Sequence, residues 1–172
     1  GKFVKRWNNE NSTVHCLGDG NNQNYLLVLG VIYDTSGNLW ALNSASSVGI
    51  HRLVQTITNG NVTDSKWQGF PHQDPTKMIS NGRWDGKGRL WFINQNWMES
   101  DFFSYDPAND ILTTYRPHYN QDGMGLYNQN DGFLRDINID ADGNVWLCGN
   151  KGICYLPARD IGTDTNVMTQ YK

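Results

Sequence analysis

The chain has 172 residues, with 18 Gly, 21 Asn and 17 acidic residues, of which only Glu10 and Glu99 are Glu. Good helix formers are scarce and turn residues abundant, which excludes a helical bundle, a coiled coil and a doubly wound α/β domain. A net charge of −3 and an apolar run no longer than a strand (25–33) predict no nucleic-acid footprint and no membrane contact by this segment. A turn-dense all-β domain is expected.

The first residues, Lys2 to Trp7, have strand character, and the start at Gly1 without Met reads as a cut end. An apolar strand over 25–33 then runs into Asp34-Thr35-Ser36-Gly37-Asn38-Leu39-Trp40. The same string returns as Asp85-Gly86-Lys87-Gly88-Arg89-Leu90-Trp91 and as Asp140-Ala141-Asp142-Gly143-Asn144-Val145-Trp146. Each copy has Asp six residues before Trp, Gly three before and a branched aliphatic one before. Four linked positions in three copies establish an internal repeat.

Each position has a physical reading. Tyr33, Trp84 and Ile139 precede the Asp, and Val31, Gly82 and Ile137 lie two residues earlier on the same strand face. Asp-x-x-Gly closes a hairpin, with the carboxylate accepting from turn amides and the Gly taking positive φ. A second strand follows with the Trp on one face. Third strands are expected at 49–53, 101–105 and 152–156, and fourth strands at 63–70, 111–116 and 167–171. Four antiparallel strands in about 50 residues, repeated with a Trp signature, match a β-propeller blade. The expected blades span 25–70, 77–116 and 133–171, and 2–7 is expected to be the outer strand of a preceding blade. Trp40, Trp91, Trp146 and Trp84 are expected in the core between blades, and Trp7 and Trp67 as packing residues.

The string Asp-x-x-Gly-Asn-(Leu/Val)-Trp followed by Gly-Ile resembles the two-component regulator propeller repeat. The third copy, 140–156, matches over the full motif. The first two depart after the Trp, at Ala41-Leu42-Asn43 and Phe92-Ile93-Asn94, and the second carries an insertion over 94–100. The resemblance implies closed rings, so three blades would belong to a longer propeller. Open blade edges are then expected to pair by self-association, or with the remainder of the propeller. It also implies a periplasmic or cell-envelope location and a non-catalytic sensory segment of a bacterial two-component regulator, with a glycan or another small ligand as partner. Whether the full-length protein carries a histidine kinase domain stays open. An envelope or secretion-system interaction propeller is the alternative, and a streptogramin-lyase-like enzyme is a more distant one.

Candidate ligand contacts are few. Trp97, in the insertion and beside Glu99, presents an aromatic face among polar groups, which suits stacking on a sugar. Arg135, adjacent to Asp136, is a basic group on an inner strand, and propellers bind ligands near their central channel. The connection 118–132 is rich in hydrogen-bonding residues. Asp34, Asp85 and Asp140 recur at one turn position, so turn capping is expected of them rather than catalysis.

No nucleophile elbow, metalloprotease motif or phosphate loop is present, and a lyase-type base could only be guessed among His15, His72 and His118. The loop 140–144 resembles a calcium loop only partially, lacking its closing Glu, and no metal or cofactor is expected. Three cysteines make no complete disulfide framework. If Asn150-Lys151 is a two-residue turn, Cys148 pairs with Ile153 and Cys154 points to the opposite face, which disfavours a bridge.

Overall fold

The computed structural model describes residues 5–14, 25–72, 77–96, 101–115, 118–119, 134–150, 152–163 and 167–171. The chain folds as two compact units, Gly1–Lys77 and Met78–Lys172.

The first unit holds one antiparallel meander of β1 (Val28–Tyr33), β2 (Leu39–Asn43), β3 (Ile50–Thr58) and β4 (Asn61–Phe70), in that spatial order. Alternation sorts its residues by face. Ile32, Trp40, Arg52 and Gln68 lie in one cross-strand row. On the opposite face Ala41, Leu53 and Trp67 are buried, with Trp7 and Leu39 packed on them. Trp7 meets Trp67 edge-on at 5.9 Å. Of the strand expected over 2–7, residues 2–4 lie outside the described residues. Residues 5–7 are irregular and lead into a turn in which the Asn8 amide donates to the Asn11 side chain. The β3–β4 hairpin is longer than expected. It closes at Asn59-Gly60, both at positive φ (52° and 77°), the conformation that a tight two-residue hairpin turn demands.

The second unit holds two sheets. The first is an antiparallel meander of β5 (Ile79–Trp84), β6 (Leu90–Asn94), β7 (Phe102–Asp106) and β8 (Ile111–Tyr115). After β8 comes the short β9 (His118–Tyr119). The second sheet runs β10 (Leu134–Ile139), β11 (Val145–Gly149), β12 (Gly152–Leu156) and β13 (Val167–Tyr171), all antiparallel, and β9 adds to β13 in parallel as a fifth strand. A single-turn 3-10 helix, Ala158–Asp160, lies between β12 and β13.

Trp91, Ile93, Phe102 and Tyr115 of the first of these sheets form one buried cluster with Leu134, Ile137, Val145, Leu147, Cys154 and Leu156 of the second. Apolar burial of this kind, at about 25 cal/mol per Å², is what holds two sheets together. Cys148 pairs with Ile153 and Cys154 with Leu147, so the two thiols take opposite faces, and neither forms a disulfide.

The three repeats superpose strand for strand in register. Ile32–Trp40, Arg83–Trp91 and Asn138–Trp146 are equivalent pairs. Each first strand also carries an irregularity, at the same level between Val28 and Gly30 and between Leu134 and Asp136, and nearer the turn between Ser80 and Arg83. A bulge of this type redirects side chains at a strand edge.

Candidate functional site

The repeated aspartate holds its turn with both carboxylate oxygens. In the first copy Asp34 Oδ1 accepts from the Ser36 and Asn38 amides at 2.9 and 2.8 Å, and Oδ2 accepts from Asn38 Nδ2 at 2.8 Å and Trp40 Nε1 at 2.9 Å. Asp140 repeats this with Asp142, Asn144 and Trp146, the Trp146 indole donating at 2.7 Å. At Asp85 the amide side chain is replaced by a guanidinium. Arg89 Nε donates at 2.7 Å beside the Trp91 indole at 2.9 Å, and the Arg89 guanidinium also lies over the Trp91 ring at 5.2 Å. Gly37, Gly88 and Gly143 sit at φ of 82°, 79° and 83°, where a Cβ would be strained. The Asp thus locks turn and Trp together within six residues.

These hydrogen bonds favour the charged carboxylates. The indole of Trp146, then the amide of Asn144, lower the Asp140 pKa from 3.8 to about 2. Burial alone would raise Asp85 and Asp34. The donated hydrogen bonds outweigh it, led by Trp91 for Asp85 and by Asn38 for Asp34, and both are lowered. A depressed folded-state pKa gives stability that is present above the unfolded value and lost as pH falls through the folded one. Thermal stability should therefore hold above about pH 4 and decline towards pH 2. Melting curves across that range check this, and Asp140→Asn should make the decline shallower.

A second polar constellation lies on the first strands. These occupy one edge of each sheet, the edge that lines the axis in a propeller. The Asn81 amide, on a residue at φ 55° in the β5 irregularity, donates to the Arg135 carbonyl and to Asp136 Oδ1, the latter at 3.2 Å. Arg83 Nη2 reaches the same Asp136 oxygen at 3.4 Å, while Nη1 donates to the Gly82 carbonyl at 2.9 Å. Arg83 and Asp136 are both partly exposed, and the Arg135 side chain is exposed. The Arg83 guanidinium, the Asn81 amide and the Asp136 carboxylate thus meet where two sheet edges come together.

Of the residues singled out from the sequence, Arg135 gives its backbone carbonyl to this cluster while its side chain is exposed, and Asp136 is reached by Arg83 from the neighbouring sheet. Trp97 and Glu99 lie outside the described residues, as does the connection 118–132 beyond β9. Trp40 and Trp91 are buried, whereas Trp84 and Trp146 are only partly buried, a departure from the expectation that all four lie in the core between blades.

Asn81 and Arg83 carried no motif, and only the spacing of the repeat could have put them beside Asp136. His51, also unmarked in the sequence, is buried with Nδ1 at 2.9 Å from Thr13 Oγ1 and Nε2 at 2.8 Å from the Val48 carbonyl. Both ring nitrogens are engaged, which makes it a structural histidine. His15 lies outside the described residues. Among the described residues no group of His, Cys, Asp and Glu could hold a metal ion.

Solved structures share the arrangement of strands. A streptogramin B lyase superposes with a TM-score of 0.59 at 17% identity, covering 94% of this chain and 43% of that protein. Virginiamycin B lyase from Staphylococcus aureus gives 0.55 at 15%, covering 84% and 41%. The fold is that of a β-propeller. The extracellular domain of a candidate one-component system from B. thetaiotaomicron gives 0.52 at 14%, covering 88% of this chain and 17% of that one. The chain spans less than half the length of each of these proteins. No family model and no curated protein matches the sequence. The three sheets are accordingly three propeller blades, and the neighbours include both lyases and an extracellular domain.

Proposed function

We propose that the chain is a non-catalytic, ligand-binding propeller segment of an exported bacterial sensor of the two-component type, recognising an oligosaccharide. The observation that carries this reading is the inner-edge cluster of Asn81, Arg83, Arg135 and Asp136. It offers the Arg83 guanidinium and the Asp136 carboxylate beside solvent, with the exposed Arg135 side chain on the adjoining residue, outside the packed core. Planar guanidinium groups suit the hydroxyls and carboxylates of sugars, and charge-assisted hydrogen bonds are about twice as strong as neutral ones. The extracellular domain among the structural neighbours and the resemblance of the third repeat to the regulator propeller repeat support an exported sensor. Trp97 supplies the stacking face in this reading, with Glu99 as an acceptor.

Titrating an array of neutral and uronate-bearing oligosaccharides tests it. A binder is expected, with Arg135→Ala weakening it by about 10–100-fold, the usual range for losing a hydrogen bond to a charged group. Trp97→Ala should weaken the same ligand. Unchanged affinity in Arg135→Ala, or the absence of any sugar ligand, would overturn the reading. Turnover of a streptogramin B would replace it with the lyase alternative.

A further inference from the structure

The repeat separates what the scaffold requires at the inner edge from what it does not. The turn Asp, the Gly and the Trp stand in all three copies. The positions of Arg83 and Asp136, by contrast, carry Ile32 and Gly30 in the first copy, at the same places in the register. A blade of this repeat therefore folds without an ion pair there. Arg83 and Asp136 are also 42% and 49% exposed and 3.4 Å apart, and a surface ion pair contributes little to stability. Their pairing calls for another explanation.

The pair is held in one arrangement. Asp136 Oδ1 accepts from three donors, the Ile137 amide at 2.9 Å, Asn81 Nδ2 at 3.2 Å and Arg83 Nη2 at 3.4 Å. Among the described residues no group donates to Oδ2. Arg83 is fixed from its other end, with Nη1 donating to the Gly82 carbonyl at 2.9 Å, and its Nε–H is unused among the described residues. Both residues flank the strand irregularities, which aim side chains away from the regular ladder. One acceptor oxygen and one donor edge thus stand side by side at fixed positions, and little side-chain entropy is left to lose on binding.

Resting on the oligosaccharide reading of this edge, we propose that the Arg83–Asp136 pair binds the vicinal hydroxyls of a neutral sugar and discriminates against a uronate. One hydroxyl donates to Asp136 Oδ2 while its neighbour accepts from the Arg83 guanidinium, so both hydrogen bonds are charge-assisted. The choice of a neutral ring follows from the charges. Asp136 already neutralises Arg83, so the pair has no net attraction for an anion, and a sugar carboxylate brought to Arg83 meets the open oxygen of Asp136. A hydroxyl suits both partners because it donates and accepts. The exposed Arg135 side chain pairs with neither group, and solvent screens its charge.

Calorimetric titration of the whole chain tests this, with short neutral oligosaccharides of glucose, mannose and galactose against oligoglucuronate and oligogalacturonate of the same lengths. A neutral series is expected to bind about 10-fold or more tightly than the acidic one, the scale of a hydrogen bond to a charged group. Asp136→Asn keeps the shape and removes the charge. It should weaken the neutral ligand about 10-fold or more and also narrow its advantage over the uronate, a change of ratio that a merely structural role would not produce. Arg83→Gln should weaken the neutral ligand too. Both positions are partly exposed, so melting temperatures should stay near that of the wild type.

Tighter binding of the acidic series, or an unchanged preference in Asp136→Asn, would overturn the inference and leave the oligosaccharide reading standing. Failure of both series to bind would overturn that reading as well.

Discussion

Asp85→Ala is expected to destabilise the protein by about 3–5 kcal/mol, the cost of breaking a buried ion pair from one side. The Asp85 carboxylate is nearly inaccessible, and it neutralises Arg89 at 2.7 Å while accepting the Trp91 indole at 2.9 Å. Removing it orphans the indole N–H inside the core and leaves the guanidinium against the Trp91 ring without its counter-charge. Two turn amides, those of Lys87 and Arg89, also lose their acceptor.

Asp85→Asn separates these terms. It keeps an acceptor for the amides but presents no charge to Arg89, so its loss should fall between wild type and alanine. Asp34→Ala and Asp140→Ala remove the same four hydrogen bonds at more exposed turns and should cost less. Urea denaturation of the four variants measures the order. An Asp85→Ala loss no greater than that of Asp34→Ala would sink the argument, because burial and the Arg89 counter-charge are what distinguish the two turns.

That prediction rests on a structure that was nearly all legible in the sequence. The clamp spans six residues, from Asp85 to Trp91, so every group it uses sits in one motif, and the motif fixes the hairpin around it. The third and fourth strands of each repeat were readable for a similar reason, since they alternate locally. The β3–β4 hairpin ran longer than expected although Asn59-Gly60 is a strong two-residue turn signal. Residues 54–62 are too polar and exposed to read as strands from hydrophobic pattern alone.

The inner-edge cluster was much less visible. Asn81 and Asp136 are 55 residues apart, and they meet only because β5 and β10 are equivalent edges of adjacent sheets. The bulge that turns Asn81 to positive φ has no composition signal beyond the following Gly82. Parallel addition of β9 to β13 was equally hidden, because two residues carry no periodicity. Buried His51 looked like a scattered histidine, since its partners come from backbone and from Thr13, 38 residues away.

Ile137→Ala and Val31→Ala should have opposite outcomes although they occupy the same repeat position. Ile137 is buried between two blades, and truncating it leaves a cavity, for which about 2–5 kcal/mol is expected. Val31 makes the same register contact, opposite Ala41 as Ile137 is opposite Leu147, but its side chain faces solvent. In dilute solution its truncation should stay within about 0.5 kcal/mol, as for surface substitutions. Equal costs for the two truncations in dilute solution would mean that the repeat position alone, rather than the neighbouring blade, determines the energetics.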